Sequence, residues 1–340
     1  MKVRLKKLGQ QVVVITGASS GIGLATARMA AQRGARVVLS SRDDEDLQSA
    51  VADIRAKGGQ AVCHVADVAD IEQMQALAEA AHRDFGGFDT WINNAGVSMY
   101  GRIDEVKLND ARRLFETNYW GVVHGTLAAL PHLQVHGGAL INVGSVLSDT
   151  AYPLQGHYSA SKHAVKGFTD SLRMEVHEAG APVSVTLIQP AAINTPYPQH
   201  AKNYLEVEPK HMPPVYAPEV VADAILRCAE HPARDVLVGG GAMVLSATER
   251  YAPHLGDLFK EATAFSGQRS DQPARDDDTL HAPRPGDASV RGTYSGHVIE
   301  SSAYTRARLN PGKTLLGIAV VAAGLAVAGR SARQGKGRGD

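Results

Sequence analysis

The chain has 340 residues, room for one domain of about 250 residues with appendages, and lysine plus arginine equal aspartate plus glutamate at 35 each. That balance points away from nucleic acid and from strongly acidic partners. Its two cysteines, Cys63 and Cys228, are far apart and lie in expected core elements, so they give neither a disulfide framework nor a zinc ligand set and fit a reducing compartment.

The N-terminus, Met1-Lys2-Val3-Arg4-Leu5-Lys6-Lys7, is basic but lacks the long apolar stretch of a secretory signal, and a cytoplasmic location is expected. Strands are expected at 11–16, 35–40, 60–65, 90–93, 139–143, 183–189 and 236–238, with helical spacing of apolar residues between them. Alternation of this kind predicts an α/β fold, a Rossmann-type doubly wound parallel sheet with helices on both faces. In such sheets a ligand sits beyond the carboxyl ends of the strands, where their order reverses.

The first strand runs into Thr16-Gly17-Ala18-Ser19-Ser20-Gly21-Ile22-Gly23, and a helical stretch follows from Leu24. Glycines there let the backbone approach a pyrophosphate, and the helix N-terminus offers it unpaired N–H groups. The second strand ends in Ser40-Ser41-Arg42, without the acid that would receive a ribose 2′-hydroxyl. Arg42 can instead make forked, charge-assisted hydrogen bonds to a 2′-phosphate, with Ser19, Ser20 and Ser41 adding hydroxyls. NADP(H) is therefore expected ahead of NAD(H). The acids Asp43, Asp44, Glu45 and Asp46 read as the first turn of the next helix.

Further along come Asp67-Val68, Asn93-Asn94-Ala95-Gly96, Asn118 and Ser145, and then Tyr158-Ser159-Ala160-Ser161-Lys162. In a helix, Tyr158 and Lys162 share a face. A free tyrosine ionises near pH ~10, and a fixed cation alongside favours the phenolate; the pair is a proton-transfer device.

These motifs, in this order, resemble the short-chain dehydrogenase/reductase family over residues 11–241. The resemblance implies that Tyr158 exchanges a proton with the substrate oxygen, that Ser145 holds that oxygen, and that Lys162 binds the nicotinamide ribose and lowers the tyrosine pKa. Asn118 would hold a water that relays protons to the lysine. The turn residues Gly17, Ser19, Ser20, Gly21, Ile22 and Gly23 would carry the cofactor phosphates, and Ser41 and Arg42 the adenosine ribose. Asp67 and Val68 would meet the adenine, while Asn93, Asn94, Ala95 and Gly96 form the floor. Pro190, Ile193 and Thr195 would clamp the nicotinamide half, with Ala191 standing where the family often has glycine. A homo-oligomer formed through the helices carrying Asn118 and Tyr158 is also implied.

The implied function is an NADP(H)-dependent oxidoreductase interconverting a ketone or aldehyde and an alcohol. The amphipathic lid expected at 197–216 favours an apolar small-molecule substrate. The alternatives are an NAD-dependent alcohol dehydrogenase and a nucleotide-sensing binding protein with little catalysis. Residues 1–266 are expected to form the enzyme domain and 267–312, rich in Ser, Asp, Arg, Pro and Gly, a flexible linker. Residues 313–340 combine an apolar run at 315–328 with a basic tail, expected to contact a membrane or to dock as a helix on an apolar patch.

Overall fold

The computed structural model describes residues 3–284, 286 and 288–310. Seven strands form one sheet: β1 (Val12–Thr16), β2 (Arg36–Ser41), β3 (Gln60–Val65), β4 (Thr90–Asn93), β5 (Gly138–Val143), β6 (Val183–Pro190) and β7 (Asp235–Val238). All expected strands are present, each within a residue of its expected ends. Their order is β7-β6-β5-β4-β1-β2-β3 and every neighbouring pair is parallel. The order reverses between β1 and β4, which places the ligand crevice beyond Thr16 and Asn93.

The central strand shows how a continuous apolar run serves two faces. Val13 and Ile15 join a core packed by α1 (Gly21–Gln32), α2 (Asp44–Ala56) and, further along the chain, Pro218–Glu230. Val12 and Val14 join the opposite core with α3 (Ile71–Phe85) and two later helices. Successive side chains of a strand point to opposite faces, so both faces of β1 are buried, as parallel sheets require. The acidic run after β2 starts α2 as expected: Asp43 accepts the Asp46 N–H, and Asp44, Glu45 and Asp46 occupy the first turn.

After β4, α4 (Leu108–Phe115) passes through a π-helical turn, Glu116–Trp120, into α5 (Gly121–His136). Beyond β5, α6 (Gly156–Glu178) carries Tyr158 in its first turn. Later helices include α7 (Pro218–Glu230), α8 (Gly240–Tyr251), α9 (Pro253–Gly267) and α10 (Ala303–Leu309), with a short helical turn at Tyr197–His200.

The segment expected as a flexible linker is instead bound along the body. Arg269–Pro273 pairs antiparallel with Val207–Pro209, within the stretch expected as a lid. Val298–Ile299 pairs with Val215–Tyr216, which also pairs with Ala192–Ile193. Ion pairs Lys202–Asp278, Arg275–Glu208 and Arg291–Glu219 tie the same stretch to the domain. Its order comes from backbone pairing and charge, with Leu280 the one fully buried apolar side chain among its described residues, which is why apolar periodicity does not reveal it. Among the described residues no helix is long and apolar enough to cross a membrane; the apolar run 315–328 lies outside the described residues.

Leu39 of β2 is fully buried, so Leu39→Ala is expected to lower the stability by roughly 2–5 kcal/mol through lost burial and a residual cavity. Ile103, 71% exposed, should tolerate alanine within about 0.5 kcal/mol. Urea midpoints of the two variants check this, and an unchanged midpoint for Leu39→Ala would contradict the placement of β2.

Candidate active site

One cleft of about 350 Å³ runs along the carboxyl ends of the strands. At its floor the β1–α1 turn is folded tightly. Gly17 has φ +63°, and a Cβ there would come within 2.7 Å of the Ala95 Cα; a Cβ on Gly23 would lie 2.1 Å from the Gly17 carbonyl oxygen. Only glycine fits either place. Asn94 braces the turn by donating its amide to the Thr16 and Gly17 carbonyls at 3.0 and 3.1 Å, while its own N–H donates to Thr16 Oγ1.

Ser19, Ser20, Gly21 and Ile22 border the cleft together with Asn94, Ala95 and Gly96. Gly23 lies beneath the turn rather than on the cleft wall. Asn93, expected on the floor, is buried: it donates to Asn142 Oδ1 at 2.9 Å and accepts from Trp91 Nε1 at 2.8 Å. It ties β4 to β5, because as the last residue of a central strand it has neighbours on both sides.

At one end of the cleft lie Ser41, Arg42, Asp67 and Val68. The Arg42 guanidinium donates to the carbonyls of Leu280 (3.3 Å) and Thr279, and its burial lowers its pKa from the ordinary value. Asp67 is paired with Arg113 through Oδ2 and accepts the Ala69 N–H at Oδ1, so both carboxylate oxygens are already engaged. A glycine turn open to the cleft, a helix N-terminus behind it and a guanidinium at the far end form a donor set suited to a dinucleotide.

At the other end stand Ser145, Tyr158 and Lys162. Tyr158 is 8% exposed and Lys162 lies 5.7 Å from its ring centroid, donating to the Val143 carbonyl at 3.0 Å. Burial pushes the Tyr158 phenol above its ordinary pKa, against hydrogen bonds with Tyr197 and Ser145 that pull it down. Burial also drives Lys162 down to about 8. The expected lowering of the tyrosine pKa is therefore not met in this structure: the ammonium is directed at a carbonyl, and desolvation of the phenolate outweighs the favourable hydrogen bonds.

Asn118 sits in the π-helical turn, wholly buried; such turns interrupt the regular ladder and recur at functional sites. Its amide donates to the Val97 carbonyl and Ser161 Oγ and accepts the Val97 N–H. Both amide hydrogens are thus spent within the protein, so the side chain has no hydrogen left to donate to a relay water.

Pro190, Ile193 and Thr195 border the cleft between its two ends. Ala191, where glycine was the family expectation, does not have a positive φ and donates its N–H to Val238; it continues the sheet and needs no glycine. Three groups at the site were not read from the sequence. Tyr197 packs edge-on against Tyr158 with centroids 5.4 Å apart and donates to Gln155 Oε1. His211 stacks on Tyr197, and burial depresses its pKa to about 4, so it is neutral at physiological pH. The third group, Thr279, Pro283 and Arg284, comes from the C-terminal extension.

Comparison with known proteins agrees with this geometry. The family model described as short chain dehydrogenase matches residues 11–204. An uncharacterized oxidoreductase of Bacillus subtilis, YxnA, is 44% identical over 326 residues, covering 94% of this chain and 90% of that protein. A match of that length cannot end at residue 267 and so takes in part of the C-terminal extension. An uncharacterized oxidoreductase of Mycobacterium bovis is 32% identical and covers 84% of each chain. Among solved structures, a short-chain dehydrogenase/reductase from Burkholderia phymatum in complex with NAD is 27% identical with a TM-score of 0.63, covering 81% of this chain and 100% of that one. An alcohol dehydrogenase from Thermococcus sibiricus, complexed with 5-hydroxy-NADP, has the same fold at 24% identity and a TM-score of 0.60, covering 67% of this chain and 95% of that one. Parallel sheet, glycine turn and matched sequence together place the chain in the short-chain dehydrogenase/reductase family, as an NAD(P)-dependent oxidoreductase.

Proposed function

We propose that the protein uses NADP(H) to interconvert a ketone or aldehyde and an alcohol, with Tyr158 as the proton-transfer group. The observation that carries this reading is the single cleft holding the glycine turn and Arg42 at one end and Ser145, Tyr158 and Lys162 at the other. When bound, the nicotinamide ring supplies or accepts the hydride. Tyr158 gives its phenolic proton to the substrate oxygen in reduction and takes it back in oxidation. Ser145 donates a hydrogen bond to the same oxygen and fixes it beside the phenol. Lys162 binds the ribose hydroxyls and keeps positive charge close to the phenolate.

The substrate end supports an apolar compound of some bulk. Val146, Leu147, Tyr152, Met212 and Leu245 border it, and the neutral His211 adds no charge. NADP(H) over NAD(H) is supported by the absence of an acid at the end of β2 and by the guanidinium in its place. The NAD held by the Burkholderia phymatum relative supports NAD(H) as the alternative cofactor.

Tyr158→Phe is expected to abolish turnover in an assay of ketones and alcohols with NADPH and NADH, while nucleotide binding persists. Substantial turnover in that variant would assign the proton to another group. Because burial holds the phenol above its ordinary pKa, the protonated form is resident at neutral pH. Reduction then finds its proton in place and oxidation must first lose it. Alcohol oxidation should therefore rise between about pH 7 and pH 10; a profile flat across that range would count against Tyr158 as the base.

Arg42→Ala should weaken NADPH binding by roughly 1.5–3 kcal/mol, the worth of a hydrogen bond to a charged group, and NADH binding far less. Titration of both cofactors decides it, and equal losses would remove the 2′-phosphate role.

For the apolar run 315–328 we propose a membrane anchor, supported by its unbroken apolar composition between basic flanks, although it is shorter than the ~17–25 residues of an ordinary span. The full-length protein should sediment with membranes, stay there in high salt, which screens charge but not insertion, and be released by detergent. Recovery in the soluble fraction without detergent would overturn the anchor.

A further inference from the structure

Residues 278–284 of the C-terminal extension cross the cleft at the Arg42 end and are held there from several sides. Thr279 donates its N–H to the His200 carbonyl at 3.0 Å. Asp278 pairs with Lys202 at 2.9 Å and His281 with Asp110 at 2.8 Å. The Leu280 side chain is fully buried among Val97, Ala111 and Leu114, and its carbonyl receives both Arg42 Nη1 and Arg113 Nε. Farther along, Gly286 donates to Asp46 Oδ1 at 3.2 Å and the Ser289 carbonyl accepts the Gly21 N–H at 2.9 Å. The extension therefore contacts the end of β2, the start of α2 and the first residue of α1, three elements that frame the cleft.

Two features distinguish this from a tail that merely packs on a surface. First, the groups that hold the Arg42 guanidinium are neutral backbone carbonyls. They fix its orientation without cancelling its charge, while the neighbouring carboxylate of Asp67 is occupied by Arg113. Second, Arg284 borders the same cleft. It lies between the anchor at Leu280 and the one at Gly286, and its Nη1 is held by Asp277 Oδ2 at 2.7 Å. Two guanidinium groups far apart in the sequence thus border one cleft, Arg42 held by carbonyls and Arg284 by the Asp277 carboxylate, and the turn after β2 is where the 2′ substituent of an adenosine ribose is read.

We propose that this stretch is part of the nucleotide site: the Thr279 and Leu280 carbonyls aim Arg42, and Arg284 supplies a second cation to the 2′-phosphate. The proposal rests on the reading of the cleft as a nucleotide site. Discrimination between NADP(H) and NAD(H) then depends on a segment outside the matched family region of residues 11–204. Arg284 acts by contact with the phosphate, and Leu280 acts through Arg42 as a positioning residue.

The test uses the full-length protein and two small probes that occupy only the adenosine end, 2′,5′-ADP and 5′-ADP, alongside NADPH and NADH. Arg284→Ala should weaken 2′,5′-ADP and NADPH about tenfold or more, as loss of a charged hydrogen bond does, and leave 5′-ADP and NADH nearly unchanged. Arg284→Lys should recover part of the loss. Leu280→Ala should reduce the preference for 2′,5′-ADP over 5′-ADP without changing Arg284. The Arg284 side chain is 24% exposed, so its variants provide the test even where Leu280→Ala fails to fold. Wild-type protein that binds nucleotides, with Arg284→Ala binding 2′,5′-ADP as tightly as wild type or losing both probes equally, overturns the proposal alone. Wild-type protein that binds none of the four overturns the nucleotide site itself.

Discussion

Burial of β1 on both faces is the constraint from which the rest of the arrangement follows. Val12 to Ile15 have no exposed side, so helices must cover the sheet above and below, and parallel neighbours must be reached by crossovers. Every strand then ends at the same edge. Residues as distant as Gly17, Arg42, Asn94, Ser145 and Pro190 meet there because each lies at or just after a strand end, and the reversal of strand order between β1 and β4 opens the space they share.

What lay in contiguous patterns was legible in the sequence. The seven strands, the glycine turn, the acidic start of α2 and the Tyr158–Lys162 pair are each set by residues within a turn or two of one another, and each is found where expected. The groups missed were those defined by contacts across the chain. Tyr197 and His211 fall in the stretch expected as a lid, whose apolar residues could equally pack inward or face a ligand, and only the fold brings Tyr197 against Tyr158. The extension was misread for a related reason. Its order rests on carbonyls, amides and ion pairs with distant partners, and such interactions leave no periodic trace in composition.

The two ends of the cleft treat charge in opposite ways. At the Tyr158 end, burial opposes ionisation: phenol and ammonium are both shifted toward their neutral forms. At the Arg42 end a guanidinium stays charged however deeply it sits, and the protein surrounds it with carbonyl oxygens. Desolvation acts on all three groups, bringing Lys162 to about 8 and leaving Arg42 a cation at neutral pH.

The pairing of Arg42 with carbonyls 237 and 238 positions later also sets an order of events during synthesis. At about 5–20 residues per second, the ribosome completes the partners of Arg42 about 12 to 48 seconds after the arginine itself. In that interval β1 to β7 and their helices emerge, while the two carbonyls that receive the guanidinium are still to come. On the proposal that residues 278–284 help hold the nucleotide, the adenosine end of the cleft is completed only after that stretch has emerged.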